Sequence, residues 1–218
     1  VDTEACTLCL SCVSLSPSGA LGDNPDKPQL SFTEDACIQC GLCKNTCPEK
    51  VIALEPRYNI PPSQQILGIR EGEQGRAAAL FRWGLIPSWA KDEKIGHRLI
   101  NARAETVAEK PSFRSAFKRR RLIIPASYYF EWKQEDGEKQ PYLIRLRDAE
   151  LFGMAGLWEA WTSPQTGEVV ESCTIITTAA NAATRDIHDR MPVILAPEAY
   201  GQWLGETEGE PGGMLQPF

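Results

Sequence analysis

The sequence predicts an α+β fold in two parts: a small cysteine-rich segment at residues 1–56, followed by a domain at residues 57–218 that is built on a mainly antiparallel, curled β-sheet with a few helices. Three observations support this division. Seven of the eight cysteines lie within the first 47 residues. From about residue 57, apolar runs rich in β-branched and aromatic residues recur between turns. Helical stretches between these runs are few, which favours a sheet with helices packed around it.

The strands of the second part are predicted from their apolar runs. They are Ala78–Leu85, Leu122–Ile124, Tyr128–Trp132, Tyr142–Arg147, Leu151–Trp158, Ser172–Thr178 and Met191–Leu195. Residues 135–137 and 164–167 contain glycine and are typical of hairpin turns. Helices are predicted at Ser112–Arg119, Ala180–Ile187 and Pro197–Leu204, and a short strand is predicted at Leu30–Phe32 in the first part.

Charge is distributed unevenly along the chain, whose net charge is −6. Residues 57–125 carry fourteen Lys and Arg against six acidic residues, whereas the segments on either side are acidic. A basic block of this kind indicates either a local surface for an anionic partner or a solvated face. No run of eighteen apolar residues occurs, and the acidic start is unlike a secretory signal, so we expect a cytoplasmic protein without membrane spans.

The cysteines of the first part have the spacing of iron–sulfur ligands. The run Cys37-x2-Cys40-x2-Cys43-x3-Cys47, followed by Pro48, is typical of a bacterial [4Fe–4S] segment. A structural zinc site or free thiols are the alternatives. An earlier run begins in the same way with Cys6, Cys9 and Cys12, but serine stands at position 16, where a fourth cysteine is expected.

The two runs together resemble the two-cluster bacterial ferredoxins. The resemblance implies that one [4Fe–4S] cluster is held by four cysteines, namely Cys6, Cys9, Cys12 and Cys47. A second cluster would be held by Cys37, Cys40 and Cys43, with Ser16 in the fourth position; serine is a harder and more basic ligand, so this cluster would be labile or absent. The resemblance also implies a redox partner, and we expect the segment to need its metal to fold.

Short motifs in the second part resemble those of the SOS-response-associated peptidase (SRAP) family, in the family's order. They are Pro56-Arg57-Tyr58-Asn59-Ile60, Arg82-Trp83-Gly84-Leu85-Ile86-Pro87-x-Trp89, Asn101-Ala102-Arg103-Ala104-Glu105, Tyr129-x-Glu131-Trp132, Ala155-Gly156-Leu157-Trp158 and Ile187-His188-Asp189-Arg190-Met191-Pro192. The resemblance runs from about residue 56 to the end of the sequence.

The SRAP resemblance implies recognition of abasic sites in single-stranded DNA through the sugar aldehyde. It places Asn101, Glu131 and His188 in catalytic roles: orientation, proton transfer at the forming imine, and sugar ring opening. It also implies that Arg103 binds a DNA phosphate. Two tryptophans would contact bases beside the lesion; they are Trp89 and Trp132. Taken singly, Glu131 and Arg103 would suit a salt bridge and Asn101 a turn. The tryptophans and His188, taken singly, would suit the core.

One feature of the family is not found where it is expected. Family members begin Met-Cys-Gly-Arg, and their N-terminal cysteine attacks the aldehyde, whereas here the stretch before Pro56 carries the cysteine runs. The one Cys-Gly pair, Cys40-Gly41, is better explained as part of a cluster site. Three hypotheses follow: SRAP-type processing of abasic DNA, electron transfer with a passive C-terminal domain, and non-covalent binding of single-stranded DNA.

Overall fold

The computed structural model describes residues 58–72, 75–135 and 137–218, together with the backbone of two short strands. These strands are β1 (Leu21–Asp23) and β2 (Leu30–Phe32), and they pair antiparallel. The presence of β2 confirms the short strand predicted at Leu30–Phe32. Ser16 and all seven cysteines of the first part lie outside the described residues. The iron–sulfur clusters and the domain boundary at residue 57 therefore stay predictions.

Five strands of the second part close into a barrel. They are β3 (Gln65–Gly72), β4 (Gly75–Trp83), β6 (Arg121–Ala126), β9 (Phe152–Thr162) and β10 (Val169–Ala179). Their order is β10-β4-β3-β6-β9, and β9 pairs again with β10, which joins the two ends. The β4–β10 pair is parallel, and the other pairs of the ring are antiparallel. The predicted curled and mainly antiparallel sheet is thus confirmed.

The apolar pattern of β9 explains why the barrel is covered on the outside. Its residues from Phe152 to Leu157 are buried without interruption, so both faces of the strand meet other elements. Two helices lie over this side: α1 (Arg114–Arg119) and α2 (Tyr200–Leu204). Phe117 of α1 packs on Trp203 of α2 with ring centroids 6.2 Å apart. The indole N–H of Trp203 also donates to the carbonyl of Leu122 at 2.9 Å, so this buried polar group is satisfied.

Shorter strands extend the barrel. Strands β5 (Asn101–Arg103) and β11 (Arg190–Pro192) both pair with β10, and β12 (Ile194–Leu195) pairs with β9. A separate hairpin is formed by β7 (Tyr129–Glu135) and β8 (Glu138–Ile144). Its turn includes Gly137 at φ 86°, a backbone conformation that glycine adopts without strain. Among the described residues, no helix has the length and apolar character needed to cross a membrane.

The helix predicted at residues 180–187 is wrong, because this stretch forms successive turns. The side chain of Asn181 accepts hydrogen bonds from the backbone N–H groups of Ala183 and Thr184, at 3.0 and 3.1 Å. Such local side-chain bonds compete with the regular helical ladder. The predicted strand at residues 78–85 also ends earlier, at Trp83, because Gly84 takes φ 127° and turns the chain.

A crossing of two glycines places the chain that leads into β5. A Cβ atom on Gly96 would lie 2.7 Å from the carbonyl oxygen of Gly84. Beside this crossing, the indole N–H of Trp83 donates to the carbonyl oxygen of Ile100 at 2.9 Å. The backbone N–H of Leu85 donates to the carbonyl oxygen of Leu99 at 3.1 Å. The start of β5 is therefore fixed from the end of β4.

We predict that Gly96→Ala destabilises the protein by about 1–3 kcal/mol, because a backbone carbonyl has to move to admit the methyl group. Gly212→Ala is the matched control: a Cβ there meets nothing within 4 Å, so its effect should stay within about 0.5 kcal/mol. Chemical denaturation of both variants measures the difference. Equal stabilities would show that the crossing is not tight.

Candidate functional site

Strand β10 brings two parts of the predicted site to neighbouring positions. Thr177 lies opposite Arg103 of β5 along one edge of β10 and opposite Pro192 of β11 along the other. His188 lies just before β11, and Asn101 begins β5. The motifs that contain Asn101 and His188 are therefore held on either side of one strand.

The structure brings Glu131 and His188 into contact. Glu131 lies on β7, and its Oε2 atom is 3.9 Å from Nδ1 of His188. Both side chains are partly accessible, with 21% of the Glu131 side chain and 43% of the His188 side chain exposed. A carboxylate and an imidazole that touch while open to solvent can exchange a proton with a bound molecule.

The backbone of Arg190 fixes the His188 ring. The N–H of Arg190 lies 3.1 Å from Nδ1 of His188. A backbone N–H can only donate, so this contact is a hydrogen bond to Nδ1 when that nitrogen carries no proton. The carbonyl of Arg190 lies 3.2 Å from the same atom and accepts from Nδ1 when that nitrogen carries a proton. The backbone of Arg190 therefore offers Nδ1 a partner with or without a proton on that nitrogen.

Burial raises the pKa of the Glu131 carboxyl above its ordinary value. The charge of His188 and a hydrogen bond from the backbone of Trp132 act in the opposite direction, and the carboxylate of Asp189 adds to the rise. Desolvation disfavours the charged form of a carboxyl group, which explains the sign. A carboxyl with a raised pKa holds its proton more readily near neutral pH, a property common in acid–base residues.

Asn101 and Arg103 share the outer face of β5. Both are exposed, whereas Ala102 between them is fully buried. Residues two apart in a strand point to the same side. The amide and the guanidinium are therefore presented together to solvent, in a position to contact a ligand that lies along this strand.

An ion pair that the sequence did not reveal joins the two sides of β10. Arg190 donates to both carboxylate oxygens of Glu105, at 2.6 and 3.0 Å, and to the carbonyl of Thr177 at 2.6 Å. Glu105 follows β5 closely, and Arg190 begins β11. A bidentate pair of this type fixes geometry as well as adding energy. Because the N–H of Arg190 also contacts His188, the pair positions the imidazole relative to β5.

The two predicted base-contacting residues differ in their relation to the other site residues. Trp132 follows Glu131 directly on β7, and Trp89 lies in a turn after β4. Their exposure, 49% for Trp132 and 58% for Trp89, leaves both rings available to a partner. Among the described residues, no hydrogen bond, ion pair or ring contact joins Trp89 to the other five predicted residues.

Some arginines of the basic block form ion pairs and hydrogen bonds within the fold. Arg120 binds Glu159 at 2.6 Å, and Arg121 donates to the carbonyl groups of Trp203 and Phe117. Arg70 binds Glu171 at 2.6 Å, and its guanidinium carbon lies 4.2 Å from the ring of Trp158. Cys173, the cysteine of the second part, is fully buried, which raises the pKa of its thiol.

Fold and site together describe a closed, mainly antiparallel β-barrel protein with a carboxylate–imidazole pair beside one of its strands. The sequence model of the family described as SOS response associated peptidase (SRAP) matches residues 31–218. A crystal structure of a protein from Bacteroides thetaiotaomicron is similar, with a TM-score of 0.67 and 37% identity, over 72% of this chain and 70% of that chain. One from Bordetella bronchiseptica has a TM-score of 0.67 and 31% identity, over 76% and 84%.

Similar sequences carry a common description. The abasic site processing protein YoqW of Bacillus subtilis is 51% identical over 168 residues, which cover 75% of this chain and 74% of that protein. The abasic site processing protein YedK of Escherichia coli is 35% identical over 148 residues, covering 68% and 64%. This chain therefore belongs to the SRAP family. The similarities confirm the SRAP resemblance seen in the sequence and give no support to the ferredoxin resemblance.

We predict that Glu131→Gln raises the melting temperature at about pH 8, by roughly 2 °C. The folded state raises the pKa of this carboxyl, so the contribution of Glu131 to stability is lost as the pH rises through the folded pKa. The gain should shrink as the pH falls towards about 4, where the carboxyl is protonated in the unfolded chain as well. Thermal melts across this range measure it. Replacement of the exposed Glu138 by Gln is the control. An increase in melting temperature for Glu131→Gln that does not change with pH would contradict a raised pKa of Glu131.

For Glu105 we predict that stability depends on pH in the opposite direction. The hydrogen bond from Arg190 lowers the pKa of Glu105, so its stabilising effect is present above the unfolded pKa and is lost as the pH falls through the folded one. Since half of this side chain is exposed, we expect Glu105→Gln to cost only about 0.5–1 kcal/mol at neutral pH, and nothing in acid. Denaturation at both pH values is the measurement, with exposed Glu109→Gln as the control.

Proposed function

We propose that this chain recognises abasic sites in single-stranded DNA and acts on the exposed sugar. The observation that carries the proposal is the contact between Glu131 and His188, with the imidazole fixed by the backbone of Arg190. An abasic sugar must open its ring to expose an aldehyde, and this step requires a proton to leave one oxygen and another to be delivered. The relatives named as abasic site processing proteins support the same reading.

In this proposal each residue of the pair has a distinct role. His188 in its protonated form carries an N–H at Nε2 and can deliver that proton to the sugar ring oxygen, which leaves the imidazole neutral. Glu131 takes or returns a proton as an amine adds to the aldehyde, and its raised pKa brings it nearer to the working pH. Asp189, whose carboxylate lies 3.5 Å from Nδ1 of His188, is close enough to pair with the protonated imidazole before the proton is delivered.

The exposed face of β5 supplies the contacts that hold the DNA. Arg103 offers a planar guanidinium, which can grip a phosphate with two parallel hydrogen bonds. Asn101 on the same face carries both a donor and an acceptor and can orient the sugar. Trp132 and Trp89 offer exposed rings to unpaired bases. Arg103 should therefore influence binding, whereas Glu131 and His188 should influence the rate of the chemical step.

We predict that a primary amine of the protein condenses with the aldehyde of an abasic site in a single-stranded oligonucleotide and releases water. Borohydride reduction of this imine should give a covalent adduct, measured as a shifted band on a denaturing gel. Glu131→Gln and His188→Gln should each slow adduct formation by about 100-fold or more, the usual contribution of an acid–base group. Glu135→Gln is the matched control, because Glu135 lies on the same strand but is paired with Lys133, and its rate should be unchanged.

The outcomes of this experiment separate the candidate functions. An adduct that forms at the same rate in both variants would contradict the roles of Glu131 and His188. Binding on a native gel with no adduct on a denaturing gel would favour a non-covalent binder of single-stranded DNA. If the protein neither binds the oligonucleotide nor forms an adduct with it, the proposal has no support.

A further inference from the structure

The hydroxyl of Tyr129 is a buried polar group without a hydrogen-bond partner. The residue lies on β7 and packs against the barrel core, with its ring edge-on to Phe152 and the ring centroids 6.4 Å apart. Within the described part of the chain, no donor or acceptor bonds to its hydroxyl oxygen. Phenylalanine would suit these apolar surroundings without the cost of burying an unpaired polar group. The hydroxyl therefore calls for an explanation beyond packing.

Tyr129 and Glu131 point to the same side of β7, because residues two apart in a strand share a face. It is the side on which Glu131 contacts His188. Burial and, in second place, the negative charge of Glu131 raise the pKa of Tyr129 to about 12. The hydroxyl therefore keeps its proton near neutral pH and can donate a hydrogen bond. Among the described residues, Glu131 is the charged group that acts on Tyr129, so its carboxylate is the acceptor to which this hydroxyl can turn.

The other groups around Glu131 are engaged elsewhere or cannot donate. The charged and titratable groups that face its carboxyl, from the hairpin and from the turn before β11, are Tyr129, Lys133, Tyr142, His188 and Asp189. Lys133 pairs with Glu135 at 2.7 Å, and the hydroxyl of Tyr142 lies 3.4 Å from the same carboxylate. Nδ1 of His188 contacts the backbone of Arg190, and the carboxylate of Asp189 has no proton to donate. Within the described residues, Tyr129 is thus the donor beside Glu131 whose proton is not engaged.

The proposed reaction leaves a negative charge on Glu131. Once the amine has added to the sugar aldehyde, the hydroxyl of the resulting carbinolamine must leave as water. Its C–O bond breaks as Glu131 gives its proton to that oxygen, and the lone pair of the amine nitrogen forms the C=N bond. At this stage His188 is neutral, because it has already passed its proton to the ring oxygen. The partly buried carboxylate then depends on hydrogen bonds for its stability.

We propose that Tyr129 is a positioning residue for Glu131, whose charged carboxylate accepts a hydrogen bond from the Tyr129 hydroxyl. While the carboxyl is protonated it faces His188, and the hydroxyl has no partner; when the proton leaves, the carboxylate turns to the hydroxyl. The place of this contact in the reaction rests on the proposed function, whereas the hydrogen bond itself can be measured in the protein alone. The two proposals can therefore fail separately.

The test follows the carboxyl carbon of Glu131 by NMR while the pH is varied, in the wild-type protein and in Tyr129→Phe. A hydrogen bond to the charged form lowers the pKa of a carboxyl group, so its loss should raise the pKa of Glu131 by about 0.5–1 pH unit. The pH profile of adduct formation should move to higher pH by the same amount, because Glu131 keeps its proton to a higher pH.

The stability of Tyr129→Phe should depend on pH in the same sense. At about pH 4 the carboxyl is protonated, so the variant loses no hydrogen bond and its melting temperature should equal or exceed that of the wild type. At about pH 8 the charged carboxylate lacks its donor, and the melting temperature should fall below that of the wild type. Thermal melts at both pH values measure this difference.

Two other tyrosines of this region serve as controls. Tyr142 lies opposite Glu131 on β8, but its hydroxyl lies beside Glu135, so Tyr142→Phe should leave the pKa of Glu131 unchanged. Tyr128 donates to the carbonyl oxygen of Tyr58 at 2.7 Å. Tyr128→Phe should therefore lower the melting temperature by about 2 °C at acid and at alkaline pH alike.

The outcomes decide between the two proposals. An unchanged pKa of Glu131 in Tyr129→Phe would overturn the role of Tyr129. A melting temperature that already falls in acid, as in Tyr128→Phe, would also overturn it, because the hydroxyl would then be bonded whatever the charge of Glu131. If the pKa of Glu131 rises but the wild-type protein forms no adduct with abasic DNA, the hydrogen bond is supported and the proposed chemistry is not.

Discussion

The pairing of strand β10 is the constraint on which the barrel and the candidate site both depend. One edge of β10 pairs with β9 and then with β11, and the other edge pairs with β4 and then with β5. A slip of one residue in any of these pairs would turn Asn101, Arg103 or the segment after His188 to the opposite side. The buried Ser172 helps to fix the register, since its hydroxyl accepts the N–H of Ile86 at 2.8 Å. The site is thus a consequence of how one strand closes the barrel.

Sequence reasoning predicted the elements whose own residues carry a pattern. The runs that form β6, β9 and β10 alternate or are continuously apolar, and their strands were found. Strand β5 was missed because three residues show no period, and it exists only through its pairing with β10. The predicted helix at residues 180–187 failed for a local reason, because the side chain of Asn181 takes up backbone N–H groups. Residue types of the site were predicted from motifs, whereas the Glu105–Arg190 pair joins residues 85 positions apart that only the fold brings together.

Two carboxyl groups near the candidate site have pKa values that shift in opposite directions. Glu105 is matched by a guanidinium, and its charged form is favoured. Glu131 is partly buried beside an imidazole, and its charged form is disfavoured. Nearby, burial raises the pKa of Tyr129 to about 12, so its hydroxyl stays protonated. Groups that are poorly stabilised in their ordinary charge state concentrate at functional sites, and among these carboxylates Glu131 has that character. The Glu105–Arg190 pair helps to position the imidazole of His188, which Glu131 contacts.

The geometry of the hairpin fits the proposal of a single-stranded DNA substrate. Glu131 and Trp132 are successive residues of β7, so they point to opposite faces of the strand. Glu131 contacts His188 on one face of β7, and Trp132 and Phe130 lie on the opposite face. A nucleic acid that contacts both must turn sharply about the width of one strand. Duplex DNA, with a persistence length of about 150 base pairs, resists such a turn, and its bases are already stacked and paired. Under the proposed function, an unpaired strand can make this turn and can place a base against Trp132, whereas a duplex would first have to lose its stacking.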